Sequence, residues 1–200
     1  MPGLKDPPVV IEGARLRLRR STPDDALPTF RCAAHAEVMK HLDWPAQRSP
    51  AEARTYLEGC EQRWRAGTEF HWVIELKPAG AAVAATAAAL DSAGMVGSIA
   101  CRVHGHAADF GYLLAHAAWG HGFGTEAAAL LMGWLQRQPE IVRIWATTDI
   151  DNTRSARVLE KLGLAREGVM RKATVRPQLA TGPRDTVLYA WVREDPRPAV

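Results

Sequence analysis

The chain has 200 residues, 47% of them hydrophobic, and a formal net charge of +3. That length fits one large domain or two small ones, and a single domain of this size buries a sizeable core. No uncharged apolar run reaches the ~18–20 residues of a membrane-spanning helix, and MPGLKDPPVV at the start lacks the apolar stretch and cleavage site of a signal peptide. Both observations predict a cytoplasmic protein without a membrane partner.

Cys32, Cys60 and Cys101 lie far apart, which argues against a disulfide framework and against clustered zinc ligands, so no metal is expected. Of the 94 hydrophobic residues 34 are alanine, and 20 of the 25 basic residues are arginine. Arginine forks suit phosphates and carboxylates better than lysine does, while codon bias explains both surpluses together and is the preferred reading. The charges are scattered and never interleaved with aromatics in a block, so nucleic-acid binding has no support.

In chain order, Val9 to Arg20 alternates as a strand with one solvated face. Thr22-Pro23-Asp24-Asp25 supplies an N-cap, a proline and first-turn acids, predicting a helix toward His35 that Pro28 kinks. Ser49-Pro50-Ala51-Glu52 is a capping-box pattern. It opens a helix with Tyr56, Leu57, Cys60 and Trp64 on one face and Gly67 as its stop. Phe70 to Leu76 reads as a strand, Lys77 to Gly94 as a loop or short irregular helix, and Met95 to Val103 with Ala108 to Leu114 as a hairpin. A helix follows from Thr125 to about Gln138, a strand over Val142 to Thr148, and a helix from Asn152 to Leu162 stopped by Gly163. Ala165 to Val175 and Thr186 to Val192 form a last strand pair around the irregular RPQLATGPR. No repeat or linker divides this β-α-α-β-β-β-α-β-α-β-β order, which predicts one mixed α/β domain over 1–200 with its core at about 12–193.

Chemistry concentrates between Phe110 and Leu131. The strand FGYLL leads into WGHGFGTEAAALL, where Gly120, Gly122 and Gly124 alternate with Trp119, His121, Phe123 and Thr125 as a helix begins. Glycines let the backbone approach a ligand, and free N–H groups at a helix start suit a diphosphate. The spacing matches neither G-x-x-x-x-G-K-[ST] nor G-x-G-x-x-G, which disfavours a P-loop and a Rossmann site. By itself the pattern also fits a flexible turn. A second polar cluster, DNTRSARVLEKLGL from Asp151, sits at a strand exit, where Asn152 and Ser155 suit a helix cap equally well.

Taken in order, FGYLL, WGHGFGTEA, DNTRSARVLEKLGL and REGVMR resemble the GNAT superfamily of N-acetyltransferases. The nearest branch acetylates N-terminal amines of ribosomal proteins. The resemblance runs from about Arg15 to Arg193 and is strongest from Phe110 to Arg171. It implies an α+β fold with a mostly antiparallel twisted sheet, a central splayed strand pair and helices on both faces. It also implies acetyl-CoA as co-substrate and an amine acceptor, either a peptide N-terminus or a small amine; a homodimer is left open.

Residue by residue, the resemblance assigns the pantetheine arm to Leu113 and Leu114 and the pyrophosphate to the amides from His121 to Thr125. Trp119, Gly120, Gly122, Phe123 and Gly124 complete that loop. Asn152 matches an asparagine that contacts the CoA arm, Ser155 a serine that protonates the leaving thiolate, and Arg154 and Arg157 are the arginines near CoA phosphates. Many relatives carry a tyrosine acid four residues beyond the serine, where this chain has Leu159. Asp109 is the candidate base by position, with a surface or hairpin-satisfied carboxylate as the alternative. A second family position for the base is Thr174 here, which cannot serve. His71, His104, His106 and His116 are alternates, and Trp44, Trp64, Trp72 and the loop from Arg176 to Arg184 are candidates for the acceptor wall.

An activated thioester needs no covalent enzyme intermediate, so the expected mechanism is direct attack in a ternary complex. Cys101 has no paired base in a recognisable motif. The competing expectation is an acyl-CoA-binding sensor that kept the cofactor wedge and lost turnover, motivated by Leu159 and the missing base.

Overall fold

The computed structural model describes Leu4 and residues 7–77 and 94–194. Most of the alanine-rich stretch expected as a loop or irregular helix, 78–93, falls outside the described residues.

The predicted first strand is two. Strands β1 (Val10–Glu12) and β2 (Leu16–Arg20) pair antiparallel with Ile11 opposite Leu18. Gly13 N–H donates to the Leu16 carbonyl at 2.8 Å and closes the turn between them. Alternation continues through this turn, so the pattern alone concealed it. After β2 a short 3-10 turn, Pro23–Asp25, precedes α1 (Ala26–Ala33). Pro28 falls in the first turn of α1, where its missing N–H has no intrahelical partner to lose, so a kink has no cause there. A one-turn α2 (Ala36–Met39) follows.

Helix α3 (Pro50–Ala66) begins where the capping pattern predicted: Ser49 Oγ accepts from Glu52 N–H at 3.2 Å, and Gly67 ends the helix in a left-handed conformation. Strands β3 (Glu69–Leu76), β4 (Met95–His104) and β5 (Ala107–Leu114) form a meander. Then come α4 (Phe123–Gln136), β6 (Arg143–Asp149), α5 (Thr153–Lys161), β7 (Ala165–Val175) and β8 (Pro183–Val192).

The eight strands make one sheet in the order β1-β2-β3-β4-β5-β6-β8-β7. Every neighbouring pair is antiparallel except β5 and β6, whose parallel pairing covers Ala107 with Arg143, Ala108 with Ile144 and Asp109 with Trp145. Beyond Asp109 the two strands continue, unpaired with each other, to Leu114 and Asp149. The result is a splayed pair open toward both C-terminal ends.

Helices cover both faces. Trp134 of α4 packs on Trp72 with ring centroids 5.7 Å apart, while Tyr56 of α3 meets His71 edge-on at 5.6 Å. Adjacent residues of β3 point to opposite faces, so α4 and α3 sandwich the sheet. Trp64 and Trp72 join Phe70 and Trp134 in an aromatic cluster. Trp72 is fully buried there, which makes it core, and Trp64 is partly buried against it.

Candidate active site

Two hydrogen bonds set which way the β5 backbone faces. Ala115 N–H donates to Val96 O at 2.8 Å, and Val142 N–H donates to His106 O at 2.9 Å. Odd-numbered residues of β5 therefore direct their N–H and C=O at β4, and even-numbered ones direct theirs at β6. Where β6 has splayed away, the groups of Tyr112 and Leu114 face the open wedge. Leu113, expected as a wedge contact, is instead turned onto β4, opposite Ser98. The carbonyl of Leu114 accepts from Trp119 Nε1 at 3.1 Å, leaving the Leu114 N–H and both backbone groups of Tyr112 toward the gap.

The glycine turn follows directly. Gly120, His121 and Gly122 are exposed, and Gly122 is left-handed at φ 78°, immediately before α4. The first helical bond is Glu126 N–H to Gly122 O at 3.1 Å, and no side chain caps the N–H groups before it. Gly124 packs tightly: a Cβ there would lie 3.3 Å from both Leu114 Cδ1 and Tyr112 Cε2. This backbone fits an anionic diphosphate approaching a helix N-terminus.

A clamp holds the turn to the start of β2. Glu126 accepts from Arg15 N–H at 2.8 Å, Leu16 N–H at 3.2 Å and Arg15 Nε at 2.7 Å, while Arg15 Nη1 donates to His121 O at 2.9 Å. Burial pushes the Glu126 carboxyl up, but these donors win and hold it below the usual carboxylate range. Trp119 is braced from the other side, with the Arg154 guanidinium 4.6 Å from its ring centroid and the His116 ring at 4.7 Å.

At the start of α5, Asn152 Oδ1 accepts from Ser155 N–H at 3.2 Å, so Asn152 is a helix cap whatever else it touches. Burial raises the Tyr112 phenol above its usual range, and the neighbouring half-buried Ser155 hydroxyl pulls it partly back. Sequence reasoning took Tyr112 only as part of a strand, yet it stands between Gly124 of α4 and Ser155 of α5. Arg157 lines a cleft of about 300 Å³ with Thr148, Glu160, Arg166 and Tyr189.

Asp109, the candidate base, is 3% exposed at the closed end of the wedge. Its carboxylate accepts from Arg102 Nε at 3.0 Å and Nη2, and contacts His104 Nε2 at 2.7 Å. That is the hairpin-satisfied carboxylate, with its lone pairs committed to two partners. His71 is fully buried, hydrogen-bonded through Nδ1 to Ser21 Oγ at 2.9 Å, with its pKa pushed down to about 4, first by burial and then by Arg63. His35 and His116 stack at 4.8 Å.

The other face of the β6 terminus was not foreseen. Asp149 has a completely buried side chain, and Arg184 grips it with Nε at 2.7 Å and Nη2 at 3.1 Å. His41 Nδ1 stands 3.5 Å and Arg176 Nε 3.9 Å from the same carboxylate. Burial holds the His41 imidazole below its usual pKa, against the pull of Asp149. Gln178 Nε2 donates to the Trp44 carbonyl at 3.0 Å. The stretch after α2 and the loop between β7 and β8 thus meet here, as two of the expected acceptor-wall segments. No sequence periodicity connects residues this far apart. Among the described residues, no cluster of three or more His, Cys, Asp or Glu side chains could hold a metal ion, and no helix is long and apolar enough to cross a membrane.

A parallel pair that splays beside a glycine turn on a helix N-terminus is the architecture of an acyl-CoA-dependent transferase. Residues 15–165 match the acetyltransferase (GNAT) domain family, and the chain belongs to it. It is an acetyl-CoA-dependent N-acyltransferase. It is 26% identical over 184 residues to the uncharacterized N-acetyltransferase YoaA of Bacillus subtilis (strain 168), covering 92% of this chain and 97% of that protein. Among solved structures, RimL, a ribosomal L7/L12 α-N-protein acetyltransferase in complex with coenzyme A, superposes with a TM-score of 0.76 at 21% identity. That match covers 92% of this chain and 98% of RimL. An acetyltransferase of T. thermophilus reaches 0.75 at 25% identity, over 96% of this chain and 93% of its own.

Proposed function

We propose that the chain acetylates α-amines, at a peptide N-terminus or on a small molecule, by direct attack in a ternary complex with acetyl-CoA. One observation carries the choice of α-amine: the buried carboxylates around the wedge are already held by arginines. Asp109 is held by Arg102, Asp149 by Arg184 and Glu126 by Arg15. None is free to act as a strong base. Deprotonating an α-amine of pKa roughly 7.7–8.0 at pH 7 costs about 1 kcal/mol, whereas a lysine amine near 10.4 costs about 4–5 kcal/mol. A wedge whose buried and half-buried carboxylates, among the described residues, are held by arginines suits the first and disfavours the second.

Acetyl-CoA supplies an acetyl group already activated as a thioester. In this reading the amides from His121 to Thr125 hold its pyrophosphate, with Arg154 alongside and Arg157 and Asn152 along its arm. The wedge-facing backbone of Tyr112 and Leu114 orients the arm. Ser155, beside Tyr112, delivers a proton to the departing sulfur, and donors fixed before the reaction begins cost no reorganisation during it. The test uses two peptides, one with a free N-terminus and no lysine, the other N-terminally blocked with one lysine. Mass spectrometry should find acetylation of the first at a rate at least about tenfold higher, in line with the amine pKa values. Equal or faster modification of lysine would overturn the assignment.

A further inference from the structure

Strand alternation sends the Asp149 side chain to the sheet face opposite that of Thr148, although both residues border the cleft beside α5. On the Asp149 face the two arginines are not equally engaged. Arg184 satisfies the Asp149 carboxylate through two nitrogens and also bonds Asp151, which is itself largely exposed. Arg176 has only looser partners: it feels the charges of Asp43 and Asp149, with Asp149 at 3.9 Å. It is 5% exposed, yet its Nε makes no hydrogen bond among the described residues. Arginine is rarely buried this deeply without a carboxylate or phosphate in its fork.

Its neighbours complete the pattern. Gln178 Oε1, two residues along the same loop, Gln47 Oε1 and His41 Nδ1 are buried and also lack hydrogen-bond partners among the described residues. The Gln178 to Trp44 bond ties their segments together. One buried donor that carries charge and two buried acceptors that do not, the side-chain carbonyl oxygens of Gln178 and Gln47, are what an amine and an anion on the same molecule require. The anion is a carboxylate: one guanidinium without a hydrogen-bonded partner at Nε, already near the Asp149 and Asp43 charges, suits a single negative charge better than a phosphate dianion.

We propose that this face of the β6 terminus is the acceptor pocket and that it selects amines carrying a carboxylate near the amino group, with Arg176 as the anion-binding residue. The proposal rests on the α-amine reading above and narrows it. The carboxylate comes either from a free amino acid or from an acidic residue next to a peptide N-terminus, and the chemistry at Arg176 is the same.

The experiment measures kcat/KM of the full chain with acetyl-CoA for matched acceptors: glutamate against glutamine α-amide, and Ala-Glu against Ala-Gln peptides blocked at the C-terminus. The acidic member of at least one pair should be favoured roughly ten- to a hundredfold, as for a hydrogen bond to a charged group. Which pair shows it separates the amino acid from the peptide. In Arg176→Gln the preference should collapse to about unity through KM, by loss of that same charged hydrogen bond, and Arg176→Lys should restore part of it. Because Asp149 keeps Arg184, Arg176→Gln should melt close to the wild type; if it does not, Arg176→Lys carries the comparison. Calorimetry with N-acetylglutamate against N-acetylglutamine α-amide, and with the acetylated peptide pair, reads the pocket without turnover. An acidic preference in binding that Arg176→Gln removes supports the pocket even if no acceptor is acetylated, in which case the transfer reading fails instead. No acidic preference in turnover or in binding, or one that survives Arg176→Gln, overturns the proposal.

Discussion

On one face of the β6 terminus, Tyr112, the turn from Trp119 to Thr125 and Ser155 come from neighbouring stretches of chain and are braced by Arg15, Glu126 and Arg154. On the other, His41, Asp149, Arg176 and Arg184 converge from three distant segments, and several of their polar atoms are left without partners. The first face is backbone fixed by clamps, and the second is a set of side chains gathered over a buried charge. In the proposed reading the fold holds what its substrates share with main-chain geometry, and leaves what varies to side chains delivered by loops.

Acid should separate the two faces most strongly. His71 supports Tyr56, which stacks under Trp44 with ring centroids 6.1 Å apart, on the loop side of the sheet. Its folded pKa of about 4 lies below the unfolded value of 6.5. Between those values the unfolded chain binds a proton that the folded chain does not. Stability is therefore fully present above pH 6.5 and falls as pH drops toward 4, by about 3 kcal/mol from this group. Denaturant melts at pH 7 and pH 4.5 should differ accordingly, and His71→Asn should flatten the difference.

Gly122→Val attacks the glycine turn alone. The position is left-handed, and a Cβ there lies 3.4 Å from Arg15 Nη2, so a β-branched residue both strains the turn and loosens the clamp. Affinity for CoA should fall of order a hundredfold by calorimetry. Gly120→Ala, left-handed at φ 81° but with open space around its Cβ, should cost less. Unchanged binding in Gly122→Val would remove the turn from the cofactor site.

Asp109→Asn distinguishes a structural carboxylate from a base. Loss of its partnership with Arg102 and His104 should lower stability by about 1–2 kcal/mol, with turnover at 25 °C retained. A large fall in kcat with an intact melting curve would return Asp109 to the catalytic set. Ser155→Ala should reduce kcat about tenfold or more, as for loss of a positioned acid, with CoA affinity unchanged. Equal turnover would leave Tyr112 or water as the proton source.

The wedge and its glycine turn were legible because their signals are local. FGYLL, the alternating glycines and the Asn152 cap lie along continuous sequence, and the fold class, element order and helix stops at Gly67 and Gly163 rest on similarly short patterns. Leu113 was misplaced because alternation names which residues share a side, while only the hydrogen bonds of Ala115 and Val142 say which side faces the wedge. His41 and Arg176 carried no signal, since their relation is made by tertiary contact alone. The arginine surplus, read as codon bias, includes the partners of the buried or half-buried carboxylates Asp25, Asp109, Glu126 and Asp149.

The central claim is that the splayed wedge transfers acetyl groups from acetyl-CoA to amines as well as holding the nucleotide. Its most direct test is the release of CoA thiol when the chain is mixed with acetyl-CoA and a panel of α-amine acceptors that includes acidic peptides and amino acids. The account predicts acceptor-dependent release, reduced in Ser155→Ala and lost in Gly122→Val. Tight binding of acetyl-CoA with no release above the acceptor-free blank, across the whole panel, would contradict it and leave a cofactor-binding protein without turnover.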